Sequence, residues 1–302
     1  MKNILVYGAT GDQGYPLMKH LREAGLQIKA ASRKPDSLQN TEFADVETVY
    51  ADFGDLESLI NASQGIDGIA MNLPFLFDVE KVRNIAANIV AAASKAGVRK
   101  IVFNTSCVVM DEDIGISAHD GRRAIEAEIE KSGLEYAVIR STVFMDNLTR
   151  RWAKPSIVKK DMISYPAAET LKVSWVCLDD IAKCMVAALI NDKVKQEKIL
   201  VGGPQALTGP ELADILTEQT GRKISYNSLT PDTFASAMSK LVTGSGYVAP
   251  NSVYSGMAQF YNWYNTQDTS PLIADNTFVK EVLGVSLTPF AEWSKRISWS
   301  SI

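Results

Sequence analysis

The run with the clearest chemistry is Gly8-Ala9-Thr10-Gly11-Asp12-Gln13-Gly14, which follows an apolar stretch and precedes an amphipathic one. Gly8 permits a tight turn, Gly11 lets a ligand reach the main chain, and Gly14 lets a helix pack closely on a strand. Amides exposed at the start of that helix suit a pyrophosphate. A glycine triplet also occurs in turns that bind nothing, but here it sits between strand and helix, which points to a dinucleotide. Ser32-Arg33-Lys34 follows at the end of the second apolar run. An acid there would accept from the adenosine ribose of NAD, whereas two cations and a hydroxyl suit a 2′-phosphate. The same three residues would also serve as a basic loop facing water. The expected cofactor is NADP(H). Asp52, in Ala51-Asp52-Phe53, is placed to accept from the adenine amine, with Phe53 beside it, and Asn72-Leu73-Pro74 lines the ribose side. Asn104, closing the fifth run, completes this candidate set.

The elements that must hold these residues are short. Strand-like runs occupy Ile4–Tyr7, Ile28–Ala31, Thr48–Ala51, Gly68–Leu73, Lys100–Asn104 and Tyr136–Arg140. Helical patterns fill Tyr15–Ala24, Leu56–Ala62, Val79–Ala96 and Arg122–Ser132, three of them stopping at Gly25, Gly97 and Gly133. Strands alternating with helices imply right-handed crossovers and a parallel sheet covered on both faces, a doubly wound α/β fold of Rossmann type. The dinucleotide domain is expected over 1–150. A smaller C-terminal α/β subdomain follows over 151–302, not cleanly separated, with some sheet elements free to return to the first domain. It contains a helix over Asp179–Ile190, a strand over Ile199–Val201, a capping-box spelling at Thr208-Gly-Pro-Glu211 and a helix over Leu212–Thr220. Tyr247, Tyr254, Phe260, Tyr261, Trp263 and Tyr264 form an aromatic stretch that reads equally as a stacking wall or as core packing.

The glycine turn, Ser32-Arg33, Ala51-Asp52-Phe53, Ser132-Gly-Leu-Glu-Tyr-Ala-Val-Ile-Arg140 running on to Asn147, and the ending Phe278–Gly284 with Leu287-Thr-Pro289 together resemble the NmrA-like branch of atypical short-chain dehydrogenases. The tail is similar to that of quinone and triphenylmethane reductases. The resemblance implies NADP(H) binding, Phe144 and Asn147 near the nicotinamide, and either a reductase or a redox sensor. Typical short-chain dehydrogenases use a Tyr-x-x-x-Lys pair for proton exchange. Tyr15-Pro-Leu-Met-Lys19 matches that spelling but sits in the helix after the glycine turn, the wrong element. Where the pair belongs the chain has Ala118-His119-Asp120-Gly121-Arg122. Arg122 is no base, but it can stabilise a developing oxyanion. His119 can supply a proton near neutrality or simply face solvent at the helix start. Ser106 can orient a substrate oxygen or satisfy the backbone.

Composition sets limits. Apolar residues make up 46% of 302 residues and charged ones 22%, an ordinary globular balance with one large or two modest domains. A net charge of -4 gives no global attraction to nucleic acid or anionic membrane, and the basic cluster Arg150, Arg151, Lys154, Lys159 and Lys160 reads as solvated surface. Cys107, Cys177 and Cys184 form no framework and two histidines make no metal set, so no metal is expected. With no signal-like segment or membrane-length apolar run, the expectation is a cytoplasmic protein. The leading reading is an oxidoreductase passing hydride from NADPH to a planar, electron-poor small molecule such as a quinone. That chemistry needs alignment more than a side-chain acid. The alternative is a non-catalytic NADP(H) sensor acting through a protein partner.

Overall fold

Apolar runs of four to seven residues bounded by turn residues build the central strands. A computed structural model describes residues 1–34, 36–74 and 76–301. The runs form β1 (Asn3–Tyr7), β2 (Gln27–Ser32), β3 (Glu47–Tyr50), β4 (Gly68–Asn72), β5 (Lys100–Asn104) and β6 (Glu135–Ser141). Between them lie α1 (Gly14–Glu23), α2 (Leu56–Ser63), α3 (Val79–Lys95) and α4 (Ser117–Lys131). α4 starts five residues before the expected Arg122. Gly121 hid this first turn from pattern reading, although a Cβ there would meet Leu76 O only at an ordinary 3.6 Å.

The remainder comprises α5 (Lys154–Lys160), β7 (Met162–Tyr165), β8 (Val173–Ser174), α6 (Leu178–Ile190), β9 (Glu197–Val201), β10 (Ala206–Leu207) and α7 (Gly209–Thr220). Then come β11 (Ser225–Ser228), α8 (Pro231–Thr243), α9 (Val253–Asn265), α10 (Thr277–Glu281) and α11 (Phe290–Lys295). The chain divides into two compact units. The first comprises Met1–Ser141, Leu178–Leu200 and Thr277–Ser286; the second comprises Thr142–Cys177, Val201–Asn276 and Leu287–Ile302. The division therefore falls nine residues before the expected 150, and two later segments return to the first unit.

The sheet order is β3-β2-β1-β4-β5-β6-β9, and every pairing from β3 to β6 is parallel. After β1 the chain steps outward to β2 and β3, then crosses back to β4 on the other side. That reversal opens a crevice at the carboxyl ends of β1 and β4, where open α/β sheets bind ligands. Leu5, Ile69, Ile101 and Val138, all fully buried, pack under α2, α3 and α4 in one apolar core. Lys100 and Glu126 are also buried in the first unit. The Lys100 ammonium donates to the carbonyl oxygens of Ala188 at 2.8 Å and Asn191 at 2.9 Å, capping the C-terminal end of α6. Glu126 on α4 is gripped by both arms of the Arg140 guanidinium at 3.0 and 2.7 Å, which ties α4 to β6.

The second unit has its own ladders, β7 with β11 in parallel and β8 with β10 antiparallel. Thr208 and Glu211 form the expected capping box at the start of α7. No described helix is long and apolar enough to cross a membrane.

Replacing Glu126 by alanine leaves the largely buried Arg140 without its main partner, an exposed Asp111 remaining. Breaking such a pair from one side costs about 3 kcal/mol. Urea unfolding of Glu126→Ala against wild type should show that loss, and a change below about 1 kcal/mol would mean the fork is dispensable.

Candidate functional site

The turn before α1 has no room for side chains on its glycines. Gly8 has φ +76°, and a Cβ there would meet the Asn72 carbonyl oxygen at 2.3 Å. A Cβ on Gly14 would meet the carbonyl oxygens of Gly8 at 2.2 Å and Ala9 at 2.4 Å. At Gly11, by contrast, a Cβ would touch only Gly8 O, at 3.4 Å, so that side of the turn lies open. The amides of Gly14 and Tyr15 return to Gly11 O. Those of Thr10 and Gln13 make no main-chain hydrogen bond among the described residues, leaving donors for an anion at the N-terminus of α1.

On the β2 and β3 side of the crevice lie the expected adenosine residues. Ser32 ends β2 and its hydroxyl accepts from the Lys34 amide at 3.0 Å, while the Arg33 and Lys34 side chains are exposed. Asp52 Oδ1 accepts from the Gly54 amide at 2.8 Å, which fixes the carboxylate and leaves Oδ2 for a ligand amine. Phe53 lies half-buried with its ring 5.7 Å from that of Tyr7, and Pro74 is exposed beside the buried Leu73.

On the β4 and β5 side the site is a polar network. Asn104 Nδ2 donates to Gln13 Oε1 at 2.6 Å and to Asn72 Oδ1 at 3.0 Å. Asn104 Oδ1 accepts from the Ser106 amide at 3.0 Å and from Ser141 Oγ at 3.3 Å. Ser106 Oγ donates to Gln13 Oε1 at 2.9 Å. Asn72 is 7% exposed, and its Nδ2 has no partner among the described residues. A buried amine left over beside an open, anion-friendly turn is what a bound dinucleotide would satisfy, so the residues present fit one. Sequence reasoning named Gln13, Asn72 and Asn104 singly but missed that they join, and missed Ser141. The signal was there: Asn72 and Asn104 end neighbouring strands and are direct register partners.

The two candidate catalytic residues are not where they were expected to act. His119 is 1% exposed, so it does not face solvent, and burial pushes its imidazole down to about 4. It is neutral near pH 7 and carries no imidazolium proton to deliver, which revises the expected acid role. Arg122 is 3% exposed, with its guanidinium 5.8 Å over the Phe103 ring. Its Nη2 donates to the Leu73 carbonyl oxygen at 2.8 Å, so it braces the segment after β4 instead of meeting an incoming oxyanion. Glu126, one helical turn after Arg122, is held by Arg140. Tyr15 packs edge-on against Phe43 with ring centres 5.5 Å apart.

Phe144 and Asn147 lie in the second unit. Asn147 Nδ2 donates to Tyr165 Oη at 3.0 Å, and Tyr165 Oη meets Tyr261 Oη at 2.8 Å. Tyr261 and Tyr264 are buried among Tyr165, Phe234 and Phe260, so this part of the aromatic stretch is core, while Tyr247 is 70% exposed. All three cysteines are buried thiols.

A family model described as the NmrA-like family matches residues 1–294. The NAD(P)H azoreductase of Xenophilus azovorans is 30% identical over 293 residues, spanning 97% of this chain and 96% of its own. Two solved structures share the fold. One is the NADPH-dependent quinone oxidoreductase of Escherichia coli complexed with NADPH (TM-score 0.80, 22% identity, 97% of this chain and 99% of that one). The other is the Citrobacter sp. triphenylmethane reductase complexed with NADP(H) (TM-score 0.79, 23% identity, 97% and 99%).

The burial of His119 has a measurable consequence. Its folded value lies below the unfolded one of about 6.5, so stability is complete above that pH and is lost as pH falls toward about 4. Between pH 7 and pH 5 wild type should lose about 2 kcal/mol more than His119→Leu, read from urea midpoints at the two pH values. Equal losses would show that the imidazole titrates freely in the folded state.

Proposed function

The chain belongs to the NmrA-like family, and on that footing we propose that it is an NADP(H)-dependent oxidoreductase reducing planar, electron-poor small molecules such as quinones. The observation that carries this reading is the division of labour across the crevice. The β2 side bears Ser32, Arg33 and Lys34, cations and a hydroxyl suited to a 2′-phosphate. The turn gives open main-chain donors for the pyrophosphate, and the β4 and β5 side ends in neutral amides and hydroxyls.

When bound, NADPH supplies a hydride. Everything else is positioning. The amides of Thr10 and Gln13 hold phosphate oxygens at the start of α1. Asp52, steadied by Gly54, accepts from the adenine amine. Arg122, through the Leu73 carbonyl, keeps Asn72 and Leu73 in place beside the turn. Neither His119 nor a Tyr-x-x-x-Lys pair supplies an ionisable acid, so the substrate class is one that takes its proton from water. Electron-poor acceptors fit that requirement, and a relative over nearly the whole chain is an NAD(P)H azoreductase.

The direct test is NADPH oxidation against a panel of quinones, azo compounds and cationic dyes. NADPH bound tightly with no acceptor reduced would move the reading to a sensor. Cofactor choice is a second check: NADPH should bind at least about tenfold more tightly than NADH, a charged phosphate contact being worth about 1.5–3 kcal/mol. Arg33→Ala should erase most of that gap, as read by quenching of nicotinamide fluorescence. Equal affinities in wild type would exclude the 2′-phosphate assignment.

A further inference from the structure

The amide network has only one consistent polarity. All four hydrogen-bonding positions of the Asn104 side chain are in use, two as donor and two as acceptor. Its orientation is dictated by the main chain: turning the amide over would set its amine against the Ser106 N–H, two donors facing each other. With Asn104 so fixed, Gln13 must turn its Oε1 inward, where that oxygen accepts from both Asn104 Nδ2 and Ser106 Oγ. The Gln13 amine is therefore directed away from the network and has no protein partner among the described residues. Ser106 adopts φ +61°, a conformation that disfavours a side chain, and its amide bond to Asn104 helps to hold it there. The Ser106 hydroxyl proton is already committed to Gln13, so it does not serve a substrate directly.

The location narrows the ligand. Gln13 spans from the end of β1 toward the ends of β4 and β5, on the opposite side of the crevice from Arg33, Lys34 and Asp52. A dinucleotide held by its adenosine end at β2 and β3 presents its reducing end on the Gln13 side. The unpartnered amine of the buried Asn72 lies in the same network and marks that side as built for a ligand's acceptor atoms.

Resting on the oxidoreductase reading, we propose that Gln13 is a catalytic residue. Its Nε2 donates a hydrogen bond to the acceptor's oxygen as hydride arrival makes that oxygen negative, and Asn104 and Ser106 are positioning residues that hold it. For a quinone the balance is complete. The hydride from NADPH, which is oxidised to NADP⁺, adds two electrons and one hydrogen to give a hydroquinone monoanion, and water provides the second proton. The amide keeps both of its own protons, acting by charge stabilisation alone. For a cationic triphenylmethane dye, hydride forms a C–H bond at the central carbon and yields a neutral product, so no anion develops and Gln13 has nothing to stabilise.

That contrast is the experiment. Gln13→Met keeps the length without the amine, and Gln13→Glu keeps an inward oxygen for Asn104 and Ser106 without an outward N–H. With wild type and both variants checked for folding, quinone turnover in Gln13→Met should fall about a hundredfold. At saturating NADPH, the fall in cationic-dye turnover should be far smaller than the fall in quinone turnover. Ser106→Ala should shift the quinone-to-dye ratio in the same direction, by less. Binding of 4-nitrophenolate to the NADP⁺-loaded protein, a readout independent of turnover, should weaken about tenfold in Gln13→Met. If Gln13→Met misfolds, Gln13→Glu must show the same selective loss of quinone turnover. Equal loss for both acceptors, no loss for either, or an effect confined to NADPH affinity overturns the assignment while leaving the reductase reading intact. A wild type that binds NADPH but reduces neither acceptor overturns both.

Discussion

The structure depends on one constraint: three main-chain segments meet where no Cβ fits. The end of β1, the start of α1 and the end of β4 approach so closely that Gly8 faces the Asn72 carbonyl and Gly14 faces those of Gly8 and Ala9. This contact brings the N-terminus of α1 to the carboxyl end of β1, beside Asn72, which β4–β5 pairing sets within one hydrogen bond of Asn104. The open main-chain donors at the start of α1 follow from the same contact. Substituting either glycine would not weaken one contact but push apart the elements that define the site.

Much of the fold was legible in the sequence. The six strands and four helices of the first 141 residues lie close to the expected positions, α4's start apart. The reason is that β1, β4, β5 and β6 are nearly continuous buried runs and the helices are followed by glycines with positive φ. The glycine turn was readable because its residue types have almost no other use between strand and helix. What pattern reading missed lies in burial and register. Arg122 and His119 stand on a helix whose first turn is disguised by Gly121, and polar residues on a helix suggest solvent until their neighbours are known. The domain boundary was obscured because α6 and α10 rejoin the first unit after long excursions, with no change of composition to mark the return.

The site also shows how neutral groups can do directed work. Amides can usually turn over at little cost, so they carry no fixed polarity. Here one main-chain N–H, that of Ser106, sets the sense of Asn104, which sets the sense of Gln13 and Asn72. A chain of hydrogen bonds thereby converts a backbone conformation into an array of amides of fixed sense. Such an array is insensitive to pH, unlike a tyrosine–lysine pair.

The Lys100 cap carries a consequence for how this chain reaches its native state. The ammonium sits fully inside the first unit, and its hydrogen-bond acceptors among the described residues, Ala188 and Asn191, are translated about ninety residues later. Until α6 is made, Lys100 at the start of β5 lacks these acceptors, which opposes its burial while only the first 141 residues exist. The second unit's first segment, Thr142–Cys177, must leave the ribosome before the first unit is complete. Synthesis of the two units is interleaved, and Thr277–Ser286 completes the first unit later still.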